Sequence, residues 1–361
     1  MRVAINMVGH EDLRNFGDII QLARATDDAH EFIFFSDRAI KGITCKVIGT
    51  EAGNFLSRRW WLDVKLPAAL KKYGADVLVN IGGDASLRTK IPQLLCAGNL
   101  RFADHPKEYT RTELLFLKSY FPKYLAKVKA IITPSHAVKD EISKKFTVAA
   151  EKVHAIHTSI GNEYKPLEWE QKEQVKDGYA DGREYFLFTG GFEEKNELLT
   201  VLKAFSHFKK WQRSNMKLIV TGDVSGAAMN ERLGKYKFRD DVVVLENITA
   251  QQEAKLLAAA YAFIHVPLYD ASGSVVLKAL KAGTPVIASD TPSIKEIAGD
   301  AVVYTDVAND EMLGAQMISL HKDEALRTSY IKAGSIQAEN YPGNNAAERW
   351  MQLIERTVAN S

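Results

Sequence analysis

Residues 269–290 read YDASGSVVLKALKAGTPVIASD. Ser272, Gly273 and Ser274 make a polar helix start, Leu277 and Leu280 face a core, and Gly283 stops the helix. The run TPVIAS (284–289) then reads as a buried strand. This turn–helix–strand step repeats on both sides. Apolar runs VAINMV (3–8), EFIFFS (31–36), ADVLVNI (75–81), AIITPS (130–135) and VHAIHTSI (153–160) precede it. Nearer and beyond lie YFLFTG (185–190), KLIVTG (217–222), VVVLENI (242–248), AFIHVPL (262–268) and AVVYT (301–305). Between them, segments such as LLTVLKAFSHFKKW place Leu198, Leu202, Phe205 and Trp211 near a 3.6-residue period. Strands alternating with such helices predict an α/β chain with parallel sheets covered on both faces.

At 361 residues the chain is too long for one typical core. The polar, breaker-containing stretch KPLEWEQKEQVKDGYADGR (165–183) is the best boundary. The reading is therefore two doubly wound domains, 1–166 and 167–340, with a C-terminal segment, 341–361, carrying a last helix over 346–357. Lys+Arg 47 against Asp+Glu 45 gives a net charge of +2, so no polyelectrolyte footprint marks a nucleic-acid partner. The two cysteines, Cys45 and Cys96, fit neither a disulfide framework nor a zinc site. MRVAINMVGH opens on a strand pattern and is too short and interrupted for a signal peptide or membrane span. A cytoplasmic protein is expected.

Ligands of open parallel sheets bind at the carboxyl ends of the strands, where helix starts point free N–H groups. In FTGGFEEKNELL (188–199), Gly190 and Gly191 allow close backbone approach, and Lys195 adds a positive charge in the first helical turn. A glycine pair at such a turn is also common packing. At the opening stretch, the amides of Ser274 and Val275 after Gly273 are expected to hold a phosphate. Lys278 lies four residues on, its side chain leaning back toward the helix start. A solvated lysine on an amphipathic helix is the plainer account. Asn247 and Ile248 in LENIT follow another strand and suit a base edge. Together these residues fit a diphosphate with a nucleoside at one end.

Several stretches resemble retaining glycosyltransferases of the GT-B fold, the family-4 type. They are YFLFTGGFEEKNELLTVLKAFSHFKK, then TAQQEAKLLAAAYAFIHVPLYDASGSVVLKALKAGTPVIASDTPSIKEIAGDAVVY, and AIITPSHAVKDEI with VHAIHTSIGNEYKPL in the first half. The resemblance implies two Rossmann-like domains facing a cleft, with the final helix crossing back to the first. It implies transfer of a sugar from a nucleotide-diphosphate donor to an acceptor hydroxyl, with retention of configuration and no cofactor. The partners implied are a nucleotide sugar and a glycan or lipid-linked acceptor. No Asp-x-Asp occurs, so no metal is expected.

The family carries two glutamates separated by seven residues, where this chain has Asp270 and Lys278. The first carboxylate works near the transferred sugar in relatives, which casts Asp270 as catalytic. The second accepts ribose hydroxyls, which an ammonium cannot do. LLCAGNLRFADHP puts Gly98 and Asn99 where relatives often show His-Asp, leaving Asn99, Asp104 and His105 as acceptor-side candidates. Two readings stand: Lys278 binds the diphosphate electrostatically, or the site has decayed and the chain is a binding or scaffold subunit of an active transferase. The segment ELLFLKSYFPKYLAKVKA (113–130) mixes aromatics with lysines. It suits either packing on the sheet or peripheral attachment to the inner face of a membrane.

Overall fold

The structure is a computed structural model and describes residues 1–9, 18, 30–37, 39, 45–47, 55–190, 197–222, 233–341 and 345–360. The chain forms two compact units: Met1–Ser159 with Asn344–Ser361, and Ile160–Gly343.

The first unit holds a seven-stranded, all-parallel sheet in the order β3-β2-β1-β4-β5-β6-β7. Its strands are β1 (Arg2–Asn6), β2 (Glu31–Ser36), β3 (Cys45–Val47), β4 (Val77–Asn80), β5 (Gln93–Cys96), β6 (Ala130–Thr133) and β7 (Val153–Ala155). The C-terminal helix Asn345–Ala359 packs here. Ala346, Trp350, Leu353 and Ile354 bury against Val3, Ile5, Val77 and Leu94, and Arg349 Nη2 donates to the Ala155 carbonyl at 2.8 Å. Each such aliphatic side chain contributes about 1.5–3 kcal/mol when fully buried. That anchors the end of the chain to the sheet on which it began.

The second unit is a six-stranded parallel sheet, β10-β9-β8-β11-β12-β13. Here β8 is Tyr185–Thr189, β9 Lys217–Thr221, β10 Val242–Leu245, β11 Ala262–His265, β12 Val286–Ser289 and β13 Val303–Thr305. Phe186, Phe188, Phe205, Phe208 and Leu313 fill one face of the sheet, and Tyr185, Phe263, Leu277 and Leu280 fill the other. In both units the chain steps outward, then reverses past its first strand, between β1 and β4 and between β8 and β11. At such a reversal the connections leave to opposite sides and open a crevice at the strand ends.

Three sequence expectations change. The division falls at Ser159/Ile160 rather than 166/167, because Ile160 and Tyr164 pack in the second core with Tyr185 and Leu277. The polar stretch after it is no bare linker: Trp169–Ala180 is a helix with a Glu168/Gln171 capping box, and its Val175 and Ala180 are buried. Trp211 sits at the end of helix Glu197–Gln212 on the surface, its ring under the Lys322 ammonium at 4.1 Å, while Leu198, Leu202 and Phe205 are buried.

Candidate active site at the strand reversal of the second unit

At the carboxyl end of β8, Gly190 donates its amide to the Thr221 carbonyl at 3.0 Å, and the Thr189 and Thr221 hydroxyls share a bond at 2.9 Å. A Cβ on Gly222 would lie 2.3 Å from the Gly190 carbonyl oxygen, so glycine is required for this approach. Gly191 and Lys195 lie outside the described residues. The helix that follows begins with Glu197, whose buried carboxylate accepts the Leu268 amide at 2.7 Å. This bond ties the first connection after the sheet's reversal to the second.

The second connection is built around Asp270. Its Oδ2 shares a 2.8 Å hydrogen bond with His265 Nε2, from the end of β11. Its Oδ1 accepts the amides of Ser272 and Gly273, both at 2.7 Å. An aspartate that folds the backbone back on its own carboxylate makes a tight polar turn. Burial pushes the Asp270 carboxyl up, but His265 and the Gly273 and Ser272 amides outweigh it and hold the group below the ordinary aspartate range.

Gly273 then takes φ +63° and is the N-cap of helix Ser274–Lys281. The Ser274 amide is satisfied by the Ser272 hydroxyl at 3.2 Å, and that hydroxyl also bonds the Ser274 hydroxyl at 2.9 Å. No acceptor among the described residues takes the amides of Val275 and Val276. These two N–H groups sit at the positive end of a helix dipole and at the sheet reversal, an arrangement that attracts an anion.

Lys278 does not complete that anion site. Its Nζ donates to Glu253 Oε2 at 2.9 Å and lies 4.9 Å from the centroid of the Tyr164 ring. The Tyr164 hydroxyl donates to the same Oε2 at 2.5 Å. Glu253 comes from helix Ala250–Ala259, which follows β10 through the turn holding Asn247 and Ile248. Asn247 is exposed with φ +53°, and Ile248 packs on the core.

Residues 170–337 match the family described as Glycosyl transferases group 1. That stretch, most of the second unit, is similar to a group 1 glycosyltransferase domain. The chain is 25% identical over 197 residues to O-antigen chain mannosyltransferase RfbU of Salmonella typhimurium, covering 53% of this chain and 52% of that protein. It is 24% identical over 256 residues to O-antigen chain mannosyltransferase B of Escherichia coli, covering 67% and 63%. The chain thus spans between half and two thirds of the length of these relatives. The crystal structure of Anabaena HepE in complex with UDP and glucose superposes with a TM-score of 0.80 at 12% identity, covering 99% of this chain and 100% of that one. The fold is GT-B, with two Rossmann-like units.

Against the sequence expectations, three assignments move. Asp270, expected as the catalytic carboxylate near the transferred sugar, keeps only 10% of its side chain exposed and has both oxygens engaged, by His265 and by the amides of its own turn. The open amides are those of Val275 and Val276 rather than Ser274 and Val275, because the Ser272 hydroxyl reaches back to Ser274. Lys278, expected at the phosphate, is neutralised by Glu253, whose contribution shows only in the folded chain.

In the first unit, the acceptor-side candidates follow β5. Asn99 accepts the Arg101 amide at 3.0 Å, at the start of helix Arg101–Asp104. Asp104 is ion-paired with Lys145, which also holds Glu141 at 2.8 Å. The His105 carbonyl accepts the Glu108 amide at 3.1 Å. Asn99 and Asp104 thus have structural tasks of their own. Sequence reasoning missed His265, Glu197, Glu253 and Tyr164. Only His265, at the end of a strand and five residues before Asp270, left a local trace.

Proposed function

We propose that this chain transfers a sugar from a nucleoside-diphosphate sugar to an acceptor hydroxyl with retention of configuration. The observation that carries the reading is the pair of open amides, Val275 and Val276, above a turn fixed by Asp270. In this reading they take the diphosphate oxygens and stabilise the negative charge that grows as the glycosidic bond breaks. Lys195, four residues after Gly191 in sequence, supplies the cation. Asp270 is a positioning group: it holds the amides in line before the donor arrives, so no reorganisation is needed during reaction. Asn247 and Ile248 present backbone groups to the base. No cofactor and no metal are invoked. The relatives named as O-antigen chain mannosyltransferases and the UDP bound by HepE agree with this donor class.

A thermal-shift series with uridine, guanosine and adenosine diphosphates tests it. A ligand at 100 times its dissociation constant adds about 2.7 kcal/mol, which raises the melting temperature of a unit this size by roughly 5–10 °C. Sugar release from the matching nucleotide sugar then tests turnover. A chain that responds to none of the nucleotides is a binding or scaffold module instead.

The acceptor in this reading is lipid-linked, and one surface favours it. Leu56, Trp60 and Val64 recur every fourth residue over Phe55–Trp60 and Trp61–Lys65, and all are exposed. The stacked rings of Phe55 and Phe116, 4.7 Å apart, join this row to helix Arg111–Lys127. On that helix Leu115 is 68% exposed between Arg111 and Lys118 on the same face. An apolar row edged by cations suits an anionic lipid surface. No helix among the described residues is long and apolar enough to cross a membrane. Sedimentation with vesicles rich in phosphatidylglycerol should pull down the chain, and Leu56→Asp with Leu115→Asp should lower that partition about tenfold. Equal partition onto neutral vesicles would remove the electrostatic part of the reading.

A further inference from the structure

We propose that Glu253 is the carboxylate that receives the ribose hydroxyls of the donor, presented by Lys278 and Tyr164; this rests on the nucleotide-sugar reading above. The sequence at 278 supplies an ammonium, which donates hydrogen bonds and cannot accept from a diol. The fold supplies an acceptor beside it. Glu253 lies in the first turn of helix Ala250–Ala259 and Lys278 in the last turn of helix Ser274–Lys281. Each helix begins at the carboxyl end of its strand, β10 or β11, the end of the sheet where the open amides lie.

The distribution of bonds on Glu253 is uneven. Oε2 takes both donors, Lys278 Nζ at 2.9 Å and the Tyr164 hydroxyl at 2.5 Å. Oε1 has no hydrogen bond among the described residues and is not sealed from solvent. A lysine–glutamate pair serving stability alone is weak when partly exposed and does not call for the second donor that Tyr164 adds on the same oxygen. Two donors from separate segments converging on one oxygen fix the carboxylate plane and leave the other oxygen outward. That is how an acceptor is held ready for a ligand. The arrangement also explains the lysine. A glutamate at 278 would set two carboxylates against each other, whereas Lys278 cancels the repulsion and turns Glu253 into the single acceptor. The carboxylate has moved to the neighbouring helix, and the lysine is its mount.

The test compares ribose with its deoxygenated form. The full chain is titrated calorimetrically with the tightest-binding nucleoside diphosphate of the three above and with its 2′,3′-dideoxy analogue. The wild-type chain should prefer the ribose form by about tenfold or more, the worth of hydrogen bonds to a charged acceptor. Glu253→Gln should cut ribonucleotide affinity by about tenfold while leaving the dideoxy analogue within about twofold. Tyr164→Phe should move the ratio the same way by less. A wild-type chain that binds both forms equally overturns the proposal without any variant. So does a folded Glu253→Gln chain with the wild-type ratio. If none of the nucleotides binds, the donor reading itself falls, which is a separate outcome.

Discussion

Replacing Asp270 with alanine should lower the melting temperature of the second unit by roughly 10 °C, besides abolishing donor binding. The expectation follows from where its two oxygens go. Oδ1 is the acceptor for the Ser272 and Gly273 amides, and Oδ2 for His265, all at 2.7–2.8 Å in a part-buried turn. Alanine strands three polar groups, and a buried donor without a partner costs about 1–3 kcal/mol. Because water can reach part of the opened turn, about 3–5 kcal/mol in total is the fitting scale. A carboxylate kept free for chemistry behaves oppositely: its removal leaves stability unchanged or raises it. Calorimetric melting of the variant therefore separates the two roles.

The pH dependence adds a check. The folded Asp270 carboxyl titrates below its unfolded value, so its contribution is complete above about pH 4–5 and disappears as pH falls through the folded value. The gap between wild-type and Asp270→Ala melting temperatures should be constant near neutrality and close below about pH 4. An unchanged melting temperature for the alanine variant would mean that the turn holds without its carboxylate.

How far the sequence shows this arrangement depends on the distance over which each part is determined. Eleven strands are legible because an uninterrupted apolar run between breakers is a local signal. Their ends are less so. The run 153–160 pairs only through Val153–Ala155, and Ile156 and Ile160 are apolar because they pack after the strand has left the sheet. Two strands, Cys45–Val47 and Gln93–Cys96, are hidden because Lys46 interrupts the first run and the second opens on a polar Gln93 directly after Pro92. The helix start after Gly273 is visible from its spacing, since capping is a matter of three or four residues. The partners of Lys278 are not, because Glu253 and Tyr164 lie 25 and 114 residues earlier in the chain. Charge at a site is a sum over neighbours in space, so a lysine read alone looks like an anion receptor when the fold has already spent its charge.

Gly273→Ala should produce the second large loss, about 2–4 kcal/mol, together with loss of nucleotide binding. Two effects add. The backbone at φ +63° is a conformation that alanine adopts only at a cost of about 1–2 kcal/mol. The new Cβ would also lie 2.7 Å from Ile297 Cγ1 and 2.9 Å from the Ser293 carbonyl, both in the packed helix Pro292–Ala298. Relief requires the turn to shift, which swings the Val275 and Val276 amides off their line. Gly83→Ala provides the control, because it has φ +78° with nothing within 4 Å of its Cβ and so carries the backbone cost alone. The difference between the two variants measures the contact. The double variant Asp270→Ala, Gly273→Ala should lose less than the sum of the single losses, since each alone already undoes the same turn. Strict additivity would show instead that the carboxylate and the glycine support different parts of the site, and the open amides would then owe their position to only one of them.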